Sequence, residues 1–104
     1  MNLNKLTIIG RLVSDPITTE DRAKFSVAVS KIYSSKDGQR HQDVEYFNVV
    51  CIGKSTRKAA EIIKQGVTVY VEGEIHLKSW EERGEIRKTM EVIAEQIQFF
   101  NTLK

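Results

Sequence analysis

Residues 67–78 alternate without interruption: Val67, Val69, Val71, Gly73, Ile75 and Leu77 stand against Thr68, Tyr70, Glu72, Glu74, His76 and Lys78. A period of two held over this length predicts a long strand with one buried face and argues against an amphipathic helix there. The same period recurs as Phe25, Val27 and Val29 against Ser26, Ala28 and Ser30, so a half-buried strand is expected from Phe25 to about Tyr33. In residues 44–54 the aromatic pair Tyr46-Phe47 leads into the apolar run Val49-Val50-Cys51-Ile52, a strand that must end by Gly53. Two further strands are expected: residues 4–12, rich in β-branched side chains with Gly10 as a bulge or bend, and Ile86 to Phe99, with Met90, Val92 and Ala94 on one side.

The segments between these strands carry turn chemistry. Ser14-Asp15-Pro16 is a turn signal, and the polar residues up to Lys24 have too little periodicity for an element and read as a loop. Residues 34–40 are polar, contain Gly38 and are too long for a tight hairpin, so they are expected to form a flexible binding arm. After Gly53, Ser55 or Thr56 can cap a short helix with the apolar stripe Ala59, Ile62 and Ile63, and Gly66 can supply a left-handed C-terminal residue. Glu81-Glu82-Arg83-Gly84-Glu85 turns the chain between the last two strands.

Three strands, one short helix and two long strands is the order of an OB-fold. This is a mainly all-β, five-stranded Greek-key barrel with its helix between strands three and four. Closure removes the sticky edges that such apolar strands would expose, and Gly10, Gly53 and Gly73 offer places to bend. An open α+β sheet is the alternative. A chain of 104 residues suits one domain, residues 1–104, and 40% hydrophobic with 29% charged residues is globular composition. Cys51 is the only cysteine, which excludes an internal disulfide framework. No run reaches membrane-span length and the first residues lack an apolar signal region, so a reducing, cytoplasmic setting is expected.

Enzymatic readings find little support. Asp43 with Glu45, and Glu72 with Glu74, stand two apart on one strand face, a pairing that can hold Mg²⁺ for nuclease chemistry. No further acid or His completes such a motif, and pairing with lysines is the expected use of these carboxylates. His41, His76 and Cys51 lack zinc-ligand spacing, and no phosphate-binding glycine loop is present. No catalytic residue, metal or cofactor is therefore expected. With a net charge of only +2, recognition of a polyanion would depend on where the cations are placed.

In this order, several pieces resemble the bacterial single-stranded DNA-binding protein family, SSB, over nearly the whole chain. They are Asn4-Lys5, Ile8-Ile9-Gly10-Arg11-Leu12, Asp15-Pro16, Phe25-Ser26-Val27-Ala28-Val29, Glu45-Tyr46-Phe47-Asn48-Val49-Val50, Gly53-Lys54, Gly66 to Glu74, and Lys78-Ser79-Trp80. No single piece is diagnostic; their order and spacing are. The resemblance implies non-catalytic, largely sequence-independent binding of single-stranded DNA in replication, recombination and repair, in the cytoplasm with the nucleoid. It also implies that Tyr33, Tyr46 and Trp80 occupy base-stacking positions, with Ile52 where the family often has Phe. Stacking suits a sequence-tolerant binder because every base has a π-face.

By itself, Trp80 at the end of a long strand is poorly explained as core, Tyr33 ends its strand beside the polar arm, and Tyr46 could equally point into the barrel. Lys31, Lys36, Arg40, Lys54, Lys78 and Arg87, with Arg11 added, are the candidates for tracking phosphates, against the plain alternative of solvated surface cations. Lys58 and Lys64 can simply decorate the helix. Tyr70, between two valines, reads as structural or as a subunit contact; Phe25, Phe99 and Phe100 are left to the core or an interface. Phe47 stands where many relatives carry His near a subunit contact. The family suggests a homotetramer, with a dimer as the other possibility. The sequence stops at Asn101-Thr102-Leu103-Lys104 without the family's acidic tail, so tail-mediated recruitment of replication or repair proteins is not implied. The alternative function is a protein-interaction module like primosomal replication protein B.

Overall fold

In the computed structural model, which describes residues 1–100, the apolar alternation closes on itself. Residues 101–104, on which the expectation about an acidic tail falls, lie outside the described residues. The elements are β1 (Leu6–Leu12), β2 (Ile17–Thr18), β3 (Ala23–Ser34), β4 (Arg40–Cys51), α1 (Lys54–Ile62), β5 (Thr68–Glu82) and β6 (Glu85–Phe100). Hydrogen bonding runs β1-β5-β6-β4-β3, and Arg11 and Leu12 of β1 then pair with Ala28 and Val27 of β3, which completes a five-stranded barrel. Neighbours are antiparallel except β4 and β6, parallel at Val49–Val92 and Val50–Ile93. This is the expected OB architecture. The helix lies between β4 and β5 because the two-residue β2 advances the numbering by one.

The period-two residues fill the interior as far as Gly73: Val27, Val49, Val69, Val71 and Val92 are wholly or almost wholly out of solvent, whereas Leu77, at the end of the expected buried face, is exposed because the β5–β6 hairpin has left the barrel there. Burying each such side chain contributes roughly 1.5–3 kcal/mol. Helix α1 packs on the barrel through Thr56 and Ala60, and Ile63 just past its end joins them in the core. Cys51 joins this core, and burial pushes its thiol up to about 11, with the Thr56 hydroxyl acting in the opposite sense. The thiol is then neutral at ordinary pH. An alkylating reagent at pH 8 should modify native Cys51 only as fast as the barrel opens; rapid stoichiometric labelling of the folded protein would contradict this packing.

Several local expectations are corrected. The 13–24 loop contains β2, and β3 starts at Ala23, because Ile17 and Thr18 pair with Lys24 and Ala23. The strand expected at residue 44 begins at Arg40, since continuous cross-strand pairing from Ala23↔Cys51 to Ser34↔Arg40 extends order into the polar arm. What remains is the turn at residues 35–39, with Gly38 at φ 84°. Helix α1 starts earlier than expected: Gly53 is its N-cap without a side-chain bond, and Thr56 donates to the Gly53 carbonyl at 3.0 Å. The helix ends at Ile62, so Gly66 does not cap it but turns the chain toward β5, donating to the Leu12 carbonyl at 2.9 Å. Within the anticipated stripe Ile63 is buried and Ala59 half-buried, whereas Ile62 is exposed.

The five-residue turn at 81–85 contracts to Arg83-Gly84. Both lie at positive φ, 52° and 80°, as a two-residue hairpin matched to strand twist requires. Gly73 marks a register shift: Glu72 faces Gln96 and Gly73 faces Ala94, which leaves Glu95 unpaired. The two hairpins, β3–β4 and β5–β6, reach beyond the barrel. Accordingly the radius of gyration is 15.9 Å, against about 13 Å for a compact chain of this length.

Candidate nucleic-acid interface

Strand pleating divides the β3–β4 hairpin into two faces of different chemistry. The outer face carries Ala28↔Tyr46, Ser30↔Val44, Ile32↔Gln42 and Ser34↔Arg40 in successive rows. Tyr46 points away from the barrel and is 65% exposed, which resolves the ambiguity left by its sequence position. Ala28 also pairs with Arg11, so Arg11, Ala28 and Tyr46 form one row across β1, β3 and β4. At the usual strand spacing, the Arg11 and Tyr46 backbones stand about 10 Å apart. No acidic residue occupies the outer-face positions of this hairpin.

Tyr33 lies on the other face, paired with His41; their rings stack at a centroid separation of 5.3 Å and 24° between planes. Lys31 is one row inward opposite Asp43, and Glu45 follows opposite Val29. Tyr33 and Tyr46 are therefore not side by side, although both are exposed. At the tip, Asp37 accepts from the Ser35 hydroxyl and from the Gln39 amide at 3.1 Å; these bonds, the hydroxyl first, hold its carboxyl below the usual range. Lys36 sits in this turn, exposed.

On the β5–β6 hairpin Trp80 is paired with Arg87, and Lys78 is one row inward on the same face. Trp80 is 46% exposed, and its indole N–H lies 3.4 Å from a Glu82 carboxylate oxygen. Trp80, Lys78 and Arg87 share one face of the hairpin, but both cations already have carboxylate partners: Lys78–Glu91 at 3.1 Å and Arg87–Glu85 at 3.5 Å. Lys31, Lys36, Arg40, Lys54 and Arg11 have no ion pair among the described residues. Ile52, just past β4, is exposed, and Lys54 opens α1 beside it in the chain.

The residues proposed for subunit contacts already have partners within the chain. Phe47 is half-buried against the barrel core opposite Val27. Tyr70 is half-buried on the barrel exterior, and its hydroxyl donates to Glu72 at 2.7 Å; this bond raises the Tyr70 pKa and lowers that of Glu72, which Lys5 also meets at 3.5 Å. Phe25 is buried, Phe99 packs against the core, and Phe100 is exposed. Glu74 meets His76 at 3.2 Å. The paired strand acids are thus spent on structural partners at Glu72 and Glu74, and no group of three His, Cys, Asp or Glu able to hold a metal exists among the described residues. Among the described residues no helix is long and apolar enough to cross a membrane.

Sequence reasoning missed Ile32, Val44 and His41. Ile32 and Val44 extend the Tyr46 face as exposed apolar neighbours, and the visible signal was the large apolar Ile32 following the small residues Ser26, Ala28 and Ser30 on one face. His41 carried no local signal, since only the hairpin register brings it to Tyr33.

The sequence pattern of the single-strand binding protein family matches residues 3–100. A single-stranded DNA-binding protein of Aquifex aeolicus is 31% identical over 107 residues, covering 98% of this chain and 73% of that protein. One from Neisseria meningitidis is 34% identical over 94 residues, covering 86% of this chain; the chain spans about half of that relative, 54%. Among solved structures, the Plasmodium falciparum SSB complex with ssDNA superposes with a TM-score of 0.90 at 21% identity, covering 97% of each chain.

Proposed function

This chain belongs to the single-strand binding protein family, and from that membership and the placement of its aromatic and basic side chains we propose that it coats single-stranded DNA without catalysis. Binding of single-stranded DNA serves replication, recombination and repair by protecting the exposed strand. The observation that supports the mechanism most directly is the acid-free outer face of β3–β4, where Tyr46 and Arg11 share a row. A base stacks on Tyr46, with Ile32 and Val44 continuing the apolar floor, while Arg11 and Arg40 meet phosphates at either side. Tyr33, backed by His41, and Trp80 provide further platforms on the two hairpins. Ile52 offers apolar contact, and Lys54, Lys31, Lys36, Lys78 and Arg87 complete the cationic track. Lys78 and Arg87 must exchange a carboxylate for a phosphate, so they contribute less than Arg11.

One barrel accommodates roughly 4–16 nucleotides, so coating a long strand calls for several copies. A homotetramer is the assembly proposed, with Tyr70 and Phe47 near its contacts; mass measurement in solution separates it from a dimer.

Titration with oligothymidine at low salt should quench Trp80, the only tryptophan. Unchanged emission together with no measurable binding would overturn the function. Each phosphate contact steepens the dependence of log affinity on log salt by about 0.7. Arg11→Ala should reduce the slope by about that amount, whereas Lys64→Ala on the helix exterior should leave it unchanged; equal effects of the two would remove the assigned track.

A further inference from the structure

The β5–β6 hairpin has a second face that the Trp80 platform does not use. Register places Leu77↔Met90, Ser79↔Lys88 and Glu81↔Ile86 on it. This is the continuation of the barrel's interior face, since Val71 and Val92 carry the same alternation into the core. Beyond the barrel there is no core to cover it: Leu77 is 82% exposed and Ile86 72%. Leu77, Ser79, Lys88 and Met90 of this face, with Lys78 and Thr89 between them along the strands, line a groove of about 430 Å³ with no carboxylate in its wall.

The two faces of this hairpin differ in charge. The Trp80 face holds Glu74, Glu82, Glu85 and Glu91, each within 3.5 Å of a basic side chain or the Trp80 indole nitrogen. The opposite face holds Glu81 alone, at the tip beyond the groove, and Lys88 there has no ion pair among the described residues. An apolar floor beside a free ammonium matches a nucleotide: its base has apolar faces and its phosphate is anionic. The thioether of Met90 adds a polarizable surface suited to aromatic rings.

We propose that Leu77 and Met90 form a second nucleotide subsite on the face of the β5–β6 hairpin opposite Trp80, packing a base, with Lys88 meeting the adjoining phosphate. The bound strand then grips the hairpin from both sides. This subsite rests on the proposed single-stranded DNA binding and extends it.

The test compares Leu77→Ser/Met90→Ser and Lys88→Ala with the unaltered protein, using oligothymidine and an abasic deoxyribose-phosphate oligomer of equal length. All three side chains lie outside the barrel core, and circular dichroism checks that the fold is retained. The double variant should lose about threefold to tenfold in affinity for oligothymidine and nothing for the abasic oligomer. Lys88→Ala should lower the salt slope by about 0.7 with either ligand. Equal affinity of the double variant and the parent for oligothymidine would overturn the subsite. So would a fall in solution mass with DNA binding unchanged, which would assign the face to a second copy of the chain. Absence of binding and of Trp80 quenching in the unaltered protein would instead overturn the function on which the subsite rests.

Discussion

Trp80→Ala is expected to weaken binding of a short oligothymidine by about 1–3 kcal/mol while leaving the thermal midpoint nearly unchanged. The two halves of this expectation have separate causes. Trp80 is almost half exposed on a hairpin beyond the barrel, so its removal opens no cavity in the core. In the proposed complex, however, a stacked base would cover one ring face, contact that no neighbouring side chain replaces. Trp80→Phe should recover most of the loss because a π-face remains. Direct fluorescence cannot follow a variant lacking its tryptophan, so anisotropy of a labelled oligonucleotide is the measurement. A Trp80→Ala variant binding as tightly as the parent would remove Trp80 from the site; one with a markedly lowered midpoint would make it a structural residue.

Gly73→Ala should cost far more stability than the same methyl addition at Gly53. A Cβ built at Gly73 overlaps the Ile93 carbonyl oxygen and lies 2.9 Å from its carbon and 3.1 Å from the Ala94 Cα. All of these are backbone atoms of β6, held by the pairing that steps from Gln96 to Ala94 around Glu95. Side-chain neighbours could rotate away, but a paired strand can move only by breaking its ladder. Overpacking usually costs 1–3 kcal/mol, and the upper end, about 3 kcal/mol, is expected here. That corresponds to a midpoint lowered by more than about 10 °C in a domain of this size. Gly53→Ala is the control: its Cβ would meet only the Thr56 hydroxyl at 3.6 Å, and Gly53 has ordinary φ of −68°. Its cost should not exceed about 1 kcal/mol, the value of a weakened helix cap. Thermal unfolding of the two variants side by side decides the matter, and a Gly73→Ala protein as stable as Gly53→Ala would mean that β6 shifts freely at the bulge.

Much of this was legible in the residues. The alternations at 25–29 and 67–77 named the interior valines, and the order of elements led to the OB barrel. Boundaries were read too short where composition is polar. Ser34, Arg40 and residues 79–82 favour neither strand nor loop strongly alone, and cross-strand hydrogen bonds extended both hairpins through them. The same context moved the helix start: once Thr56 is buried at the barrel end, its hydroxyl turns back to the Gly53 carbonyl and no longer serves as a cap.

For the binding surface, the sequence alone determined which side chains can stack and which can carry positive charge, because those are properties of Tyr33, Tyr46, Trp80 and the lysines and arginines themselves. Only the tertiary structure decided which of them share a face. Arg11 is 35 residues from Tyr46 in the chain, yet closure of β1 onto β3 puts them in one row, while Tyr33 and Tyr46, both in the same hairpin, fall on opposite faces. Within one strand, face follows from a period of two that any reader can count. Between strands it follows from register, which is set where the barrel closes and which a shift of one residue would invert.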